Sequence, residues 1–210
     1  RVYDLCDQEF DTSNVSNSIF VQGVPEVDFT NRLRWNNYRR WLGGVDQYEI
    51  LRYIPNYDPG FIPINQVGAN SVVYNDDIRN FADNDGLYTY VIKAIEAAGN
   101  PLGLTDTVYS NRTEVIQQPR VFMPTAFVPQ GVTRILQPKG VFIEEQAGFR
   151  FEVYNRWGEL IFMSQDMDLG WNGTQMNGQL VQPGVYPYVI NFIGKNGKPY
   201  SQNGTVTVIR

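Results

Sequence analysis

The chain has 210 residues, a formal net charge of −5, no histidine and one cysteine, Cys6. The lack of histidine removes the commonest general base and the usual zinc ligand, and a single cysteine excludes an internal disulfide. An acidic chain without a basic stripe argues against nucleic-acid binding, and the sequence has no apolar run of about 18 residues that predicts a membrane-spanning helix.

Residues 1–22 form a short segment rich in strand signals that begins abruptly at Arg1. Its pattern of strand, loop, Ser-Asn, strand and Gln returns at residues 90–118, where YVIKAIE is followed by YSNRTEVIQQ. We interpret residues 1–22 as the end of a preceding copy of the next domain, with an ordinary linker as the alternative. The chain is accordingly expected to be the C-terminal piece of a longer protein.

Residues 23–118 hold about seven strand signals, a number that fits one antiparallel sandwich. Leu33 and Trp35 alternate on an early predicted strand, and the run GLYTYVIKA (86–94) places Tyr88 on a later one. A buried tryptophan on an early strand and a Tyr-x-Tyr-x-Ile strand entered through a Gly-Leu corner resemble the fibronectin type III fold. That resemblance implies a spacer or a binding module rather than an enzyme.

Acidic and aromatic residues of the predicted loops and strands are the candidates for a functional site. The Asp-x-Asp-Gly run at 83–86 is similar to part of a calcium loop but lacks the terminal glutamate, and we interpret it as a turn. Tyr38 and Trp41 are candidates for stacking on a sugar ring. The adjacent carboxylates of Glu144 and Glu145 point to opposite faces of a predicted strand and cannot converge on a substrate. No catalytic residue, cofactor-binding residue or metal site is therefore predicted.

Residues 119–210 form a third section with a similar density of strand signals. The Gln-Gln-Pro sequence at 117–119 marks its boundary, because proline ends strands and stiffens linkers. Period-two alternation along FRFEV (149–153) and GTVTVI (204–209) predicts antiparallel strands. The whole sequence predicts an all-β chain with two consecutive antiparallel β-sandwich domains of the immunoglobulin or fibronectin III type.

Several turns are predicted within this third section. Residues 155–158 (Asn-Arg-Trp-Gly) join two alternating strands, and Gly158 supplies the positive φ of a type I turn with a bulge. Further tight turns are predicted at 170–173 and at 196–197. Proline at position 187 removes a backbone donor, which predicts an edge strand or a local bulge.

Five sequence blocks of this section stand in a fixed order: MPTAFVPQG (123–131), FRFEVYNRWGELIF (149–162), GWNGT (170–174), QPGVYPYVI (182–190) and NGTVTVIR (203–210). In this order they resemble the gliding motility-associated C-terminal domain, which is the type B sorting domain of the bacterial type IX secretion system. The acidic Asn-Gly-Asp-Gly loop of that family is replaced here by residues 130–134 (Gln-Gly-Val-Thr-Arg), so no cation site is predicted in it.

The resemblance implies export rather than catalysis, with the protein carried across the outer membrane to the cell surface. It also implies two partners: the outer-membrane translocon of the type IX machinery and an outer-membrane barrel protein of the PorP/SprF-like kind. We expect the matching turns and the terminal strand to form one recognition surface, with Trp157 either meeting a partner or covering its own hairpin. The candidate recognition residues are Tyr154, Asn155, Arg156, Trp157, Gly158, Gly170, Trp171, Gly173, Thr174, Pro183, Gly184, Tyr186, Gly204, Thr205, Val206 and Arg210.

Three functions remain open at this stage. The first is a non-enzymatic fragment of a large surface adhesin, such as a gliding adhesin, that ends in the sorting domain. The second is the tail of a secreted hydrolase that uses the same signal. The third is a carbohydrate-binding surface module within residues 23–118.

Overall fold

A computed structural model describes residues 2–3, 5–6, 9–11, 16–81, 84–132, 134–144 and 148–209. The chain divides into two compact units, the first made of Arg1–Asn80 with Leu87–Ile116 and the second of Phe81–Gly86 with Gln117–Arg210. Both units are built from β-strands, and the predicted all-β sandwich class is confirmed. No helix in the described part of the chain is long and apolar enough to span a lipid bilayer.

The strands of the first unit follow the alternation predicted from the sequence. They are β1 (Val2–Tyr3), β2 (Glu9–Asp11), β3 (Val21–Pro25), β4 (Thr30–Trp35), β5 (Val45–Tyr53), β6 (Ile62–Gly68), β7 (Val73–Asp77), β8 (Leu87–Glu96), β9 (Thr107–Tyr109) and β10 (Thr113–Ile116). Strand β7 extends to Asp77, and a single 3₁₀ turn follows at Arg79–Phe81.

Two sheets of this unit pack face to face. One has the order β3-β4-β7, the other has the order β10-β8-β5-β6 with β9 beside β8, and β1 pairs separately with β2. Trp35 of β4 meets Tyr48 of β5 between the sheets, with ring centroids 5.7 Å apart, and Tyr88 is fully buried on β8. This strand arrangement is that of the fibronectin type III fold, in agreement with the resemblance.

A buried polar network also joins the two sheets. The Asn31 amide of β4 donates to the Tyr90 hydroxyl of β8 (2.7 Å), and that hydroxyl donates to Asp76 of β7 (2.7 Å). Arg52 of β5 donates to both oxygens of Asp76 at 3.2 and 3.0 Å. Burial, followed by the charge of Asp76, raises the pKa of Tyr90, so the phenol stays protonated and available as a donor.

The second unit is organised around one five-stranded sheet. Its strands are β11 (Arg120–Phe122), β12 (Ala126–Phe127), β13 (Lys139–Val141), β14 (Arg150–Tyr154), β15 (Leu160–Ser164), β16 (Gly184–Ile193) and β17 (Pro199–Val208). The sheet has the order β12-β17-β16-β14-β15, and β11 pairs with β13 in a separate ladder. The core lies on one face of the sheet and includes Phe127, Leu136, Phe151, Trp171 and Ile190.

The terminal strand β17 is paired along its whole length with β16, from Gly184 opposite Val208 to Ile193 opposite Pro199. At Thr207 and Val208 it also pairs in parallel with β12. The last two residues of β17 are therefore paired on both sides, and only the part of β17 before Thr207 has an open edge among the described strands.

Both alternatives predicted for Pro187, an edge strand or a local bulge, are wrong: β16 stands between β17 and β14, and its register with β17 is unbroken. The ladder between β14 and β16 nevertheless ends at Tyr188, which pairs with Val153. Pro187 is the next residue outward and pairs only with Thr205 of β17. The missing N–H thus falls where one of the two neighbouring ladders has stopped, which leaves the start of β16 open on that side.

We predict that Asp76→Ala destabilises the protein by about 3–5 kcal/mol, because it leaves a buried guanidinium without its carboxylate. The matched control is Asp77→Ala on the same strand, where the carboxylate pairs with Arg79 and both side chains are exposed. Urea unfolding followed by circular dichroism measures both changes. Equal midpoints for Asp76→Ala and Asp77→Ala would contradict the role of the network.

Candidate functional site

The hairpin between β14 and β15 has a turn whose geometry is supplied by two of its residues. The Asn155 N–H donates to the carbonyl of Glu159 at 2.9 Å, and the Gly158 N–H donates to the carbonyl of Asn155 at 3.0 Å. The side-chain oxygen of Asn155 accepts from the N–H groups of Trp157 (2.9 Å) and Glu159 (3.0 Å). Gly158 has φ 81°, as predicted for a type I turn with a bulge. Arg156 and Trp157 close none of these bonds with their side chains.

The same pair of backbone hydrogen bonds closes the turns at residues 175–178 and 194–197. The second of these turns contains the predicted Asn-Gly hairpin. The turn predicted at residues 170–173 is wrong. Trp171 instead forms a short bridge with Leu136, with N–H to carbonyl distances of 2.7 and 2.9 Å in the two directions. The nearby turn begins at Gln175, whose N–H donates to the carbonyl of Gln179 at 2.8 Å.

Trp171 is a central member of the core. Its ring is fully buried and lies between Phe127 and Tyr186, with centroids 5.4 Å from each. The indole N–H donates to the carbonyl of Thr174 at 2.8 Å, which satisfies the single polar group of the ring. Trp171 therefore fixes the position of Tyr186 from beneath and is itself out of reach of a partner.

Other predicted recognition residues also have structural roles. Val206 is fully buried, and Gly204 lies opposite Tyr188 in the β16–β17 ladder. A Cβ atom at Gly204 would stand 2.5 Å from the hydroxyl of Tyr188, so glycine here allows the tyrosine to lie across the strand. Tyr154 is half-buried, and its hydroxyl donates to Glu152 at 3.0 Å.

The remaining predicted residues differ in exposure. Gly170 and Thr174 are half-buried, Gly173 is buried and Thr205 is exposed on β17. Arg210 lies outside the described residues.

A groove of about 400 Å³ brings two of the predicted blocks together. It is lined by residues 155–157, 161, 175 and 181–186. The turn of the β14–β15 hairpin forms one wall, and the start of β16 with the segment before it forms the other. Of the residues expected on one surface, 155–157 and 183–186 meet in this groove, whereas the 170–174 block and β17 do not line it.

Trp157 extends outward beside this groove and is 78% exposed. The guanidinium of Arg156 lies 5.6 Å from the centroid of its ring, at cation–π distance. Trp157 is therefore not packed over its own hairpin. Burial raises the pKa of the Tyr186 hydroxyl, opposed by the charge of Arg156, and this hydroxyl donates to the carbonyl of Gln182 at 2.7 Å.

Sequence reasoning missed five of the groove residues: Ile161, Gln175, Val181, Gln182 and Val185. Val185 is 57% exposed and stands between Gly184 and Tyr186, so its outward position follows from the period-two alternation of β16. Gln175 had no local signal, because its place depends on where the chain turns after Trp171.

The residues considered for other chemistry are engaged in contacts within the fold. Tyr38 and Trp41 pack on each other with ring centroids 4.4 Å apart. Asp76 and Asp77 pair with Arg52 and Arg79, while Asp83 and Glu145 lie outside the described residues. In the part of the chain that the structure describes, no group of three or more His, Cys, Asp or Glu side chains is arranged to hold a metal ion.

Residues 123–208 match the family model of the CHU_C Type IX secretion signal domain. The resemblance found in the sequence is thereby confirmed for this part of the chain. The match indicates a secreted protein that interacts with the type IX secretion machinery and is exported across the outer membrane to the cell surface or the extracellular space. No curated protein matches the sequence.

Solved structures with a similar chain trace contain fibronectin-type modules and a lyase. The chicken CNTN1 FN1-FN3 domains are 12% identical (TM-score 0.35), with 92% of this chain and 65% of that chain covered. The CbhA fibronectin(III)-like modules of Clostridium thermocellum are 11% identical (TM-score 0.28; 90% and 93% covered). Pectate lyase Pel3 from Pectobacterium carotovorum is 14% identical (TM-score 0.35), and 47% of this chain spans about a quarter (26%) of that chain. None of these likenesses bears on the function of this chain.

We predict that the two tryptophans of the signal domain contribute very differently to the free energy of unfolding. Trp171→Ala should destabilise the protein by about 3–5 kcal/mol, because a large buried ring is lost from the core. Trp157→Ala should leave the free energy of unfolding close to that of the unaltered protein, because the ring is exposed. Thermal and urea unfolding of the two variants measure this difference, and a comparable loss in both would show that Trp157 packs in the fold.

Proposed function

We propose that the protein is a non-enzymatic cell-surface adhesin whose C-terminal unit is read by its secretion and attachment partners through the groove beside Trp157. The observation that carries this proposal is the convergence of two separate family blocks, at 155–157 and 183–186, on one groove. An exposed tryptophan with an arginine stacked on it stands at the edge of that groove. Trp and Arg are the residue types that dominate binding hot spots.

The remaining family residues support the groove rather than line it. Trp171 holds Tyr186 from below, and Gly204 allows Tyr188 to lie flat in the neighbouring ladder. We propose that the five blocks therefore contain two kinds of residue, those that fold the domain and those that a partner contacts. Asn155 and Gly158 belong to the first kind, and Arg156 and Trp157 belong to the second.

For the partner of the folded signal domain we propose an outer-membrane barrel protein of the PorP/SprF-like kind, which would retain the exported protein at the surface. The family resemblance supports this choice, as does the form of the site. A groove of about 400 Å³ with a projecting aromatic residue is large enough for the side chains of one loop. A barrel protein presents such loops at the membrane surface.

For the rest of the chain we propose a fibronectin III-like module at residues 23–118, preceded at 1–22 by the end of a similar module and followed at 119–210 by the sorting domain. The strand orders of the two sheets and their polar cross-link support the first assignment. Modules of this type serve as spacers or binding units, which supports an adhesin, including one used in gliding, over a hydrolase.

The proposal is tested by surface delivery in a bacterium that has the type IX system. We predict that Trp157→Ala lowers the amount of protein at the cell surface at least tenfold while its stability is unchanged, because the partner loses its main contact. Immunoblots of intact cells treated with protease, compared with total lysates, measure the exposed fraction. The control is Met163→Ala, which removes an exposed apolar side chain of β15 away from the groove.

Normal surface delivery of Trp157→Ala would contradict recognition through this groove. Loss of delivery in both Trp157→Ala and Met163→Ala would point to a general effect of surface truncation on export and would also count against the proposal.

A second prediction concerns the partner. Deleting the PorP/SprF-like barrel should release the exported protein into the medium or retain it in the periplasm, whereas deleting the type IX translocon should abolish export altogether. Quantitative immunoblots of medium, surface and periplasmic fractions distinguish these results. Unchanged surface levels without the barrel would exclude it as the partner.

A further inference from the structure

The groove beside Trp157 carries a single charged side chain among its described residues, and that charge is positive. Among the described residues that line it, Arg156 is the sole charged side chain; the others are apolar, aromatic, amide or glycine residues. No ion pair joins Arg156 to an acidic residue of the described chain. The guanidinium is therefore available to an anionic group that enters from outside.

The nearest acidic residue in the sequence, Glu159, is already engaged. Its carboxylate accepts a hydrogen bond from the Asn155 amide at 2.7 Å, and it is not one of the lining residues. Glu159 thus offers Arg156 no internal counterion within the groove. Within the turn, the carboxylate of Glu159 bonds to Asn155, whereas the guanidinium of Arg156 lies beside the ring of Trp157.

Arg156 is also held in place before a partner arrives. Its guanidinium lies over the ring of Trp157 at 5.6 Å, and such stacking leaves the N–H groups at the edge of the guanidinium plane available as donors. A planar guanidinium with free edges matches the two oxygens of a carboxylate. The apolar side chains of Ile161, Val181 and Val185 nearby suit the aliphatic stem that carries such a group.

We propose that this groove binds a protruding loop of the protein receptor through an acidic side chain, Asp or Glu, whose carboxylate pairs with Arg156 while the loop packs against Trp157. This inference rests on the proposed function, because it names the chemistry of the partner at the same site. Tyr186 forms the floor of the groove, and its hydroxyl proton is committed to the carbonyl of Gln182. Arg156 is therefore the group that selects for negative charge.

A loop fits these observations better than an anionic membrane surface does. A single Arg near a charged bilayer strengthens binding by roughly fivefold, which is too little to hold a protein at the membrane. The charged site is also beside a concave surface, which a protruding side chain can enter and a flat headgroup layer cannot fill. A carboxylate that is partly desolvated against Arg156 gains more, since such pairs act at short distance in a less polar setting.

The test measures binding of the whole chain to a purified PorP/SprF-like barrel in detergent, by biolayer interferometry. We expect Arg156→Glu to weaken the Kd at least about 100-fold and Arg156→Gln at least about tenfold. The Kd of Arg156→Lys should lie between those of the unaltered protein and Arg156→Gln, because lysine keeps the charge but lacks the planar guanidinium. The matched control is Lys198→Glu, an equal charge reversal beside another hairpin turn, for which we expect less than about a threefold change.

Three outcomes would overturn the inference. If both Arg156→Gln and Arg156→Glu bind as the unaltered protein does while Trp157→Ala binds weakly, the carboxylate pairing is wrong and the proposed function stands. If the unaltered protein does not bind the barrel, or if Trp157→Ala binds it as tightly as the unaltered protein does, both proposals fail. The third outcome is that phosphatidylcholine vesicles with about 30% phosphatidylglycerol bind the protein as tightly as the barrel does. If Arg156→Glu also removes that binding, the site binds an anionic membrane surface and not a protein loop.

Discussion

The ladder between β16 and β17 is the interaction on which the signal domain depends. It runs over ten residue pairs, from Gly184 opposite Val208 to Ile193 opposite Pro199. Because side chains alternate across a strand, this register decides which residues of both strands enter the core. It places Val206 inside and Tyr186 above Trp171, and a slip by one residue would turn the inward side chains of the shifted strand outward. The groove exists only in the correct register.

The second constraint acts within the first unit. There the two sheets are joined by a carboxylate that accepts hydrogen bonds from an arginine and a tyrosine on the opposite sheet. Buried polar groups must be satisfied, and a network that is satisfied at Asp76 specifies one relative placement of the sheets more sharply than apolar contacts can. The two units thus reach defined structures by different means, one through a long ladder and an aromatic column, the other through a polar cross-link.

Much of the fold could be predicted from the sequence because strands leave a local signal. Period-two alternation located β14 and β17, and the Asn-Arg-Trp-Gly turn with its positive φ at Gly158 followed from turn chemistry alone. The errors had a common origin in contacts with distant residues. Trp171 pairs with Leu136 rather than turning, and Pro187 lies on an internal strand just beyond the end of one ladder.

The candidate site could be predicted only in part for the same reason. A family pattern in a single sequence does not separate residues that build a domain from residues that a partner contacts. Trp157 and Trp171 occur in similar Gly-containing blocks, yet one is 78% exposed and the other is fully buried. Gln175 enters the groove only because the 170–174 segment is bound to a neighbour 35 residues earlier in the chain, at Leu136.

In the β14–β15 turn, the residues that form the hydrogen bonds are separate from the residues that form the exposed surface, and this has a consequence for mutation. Asn155 and Gly158 supply all the bonds that close the turn, so the identities of the two residues between them are under little folding constraint. A substitution at either position can therefore change the exposed surface of the hairpin without requiring a compensating mutation in the core.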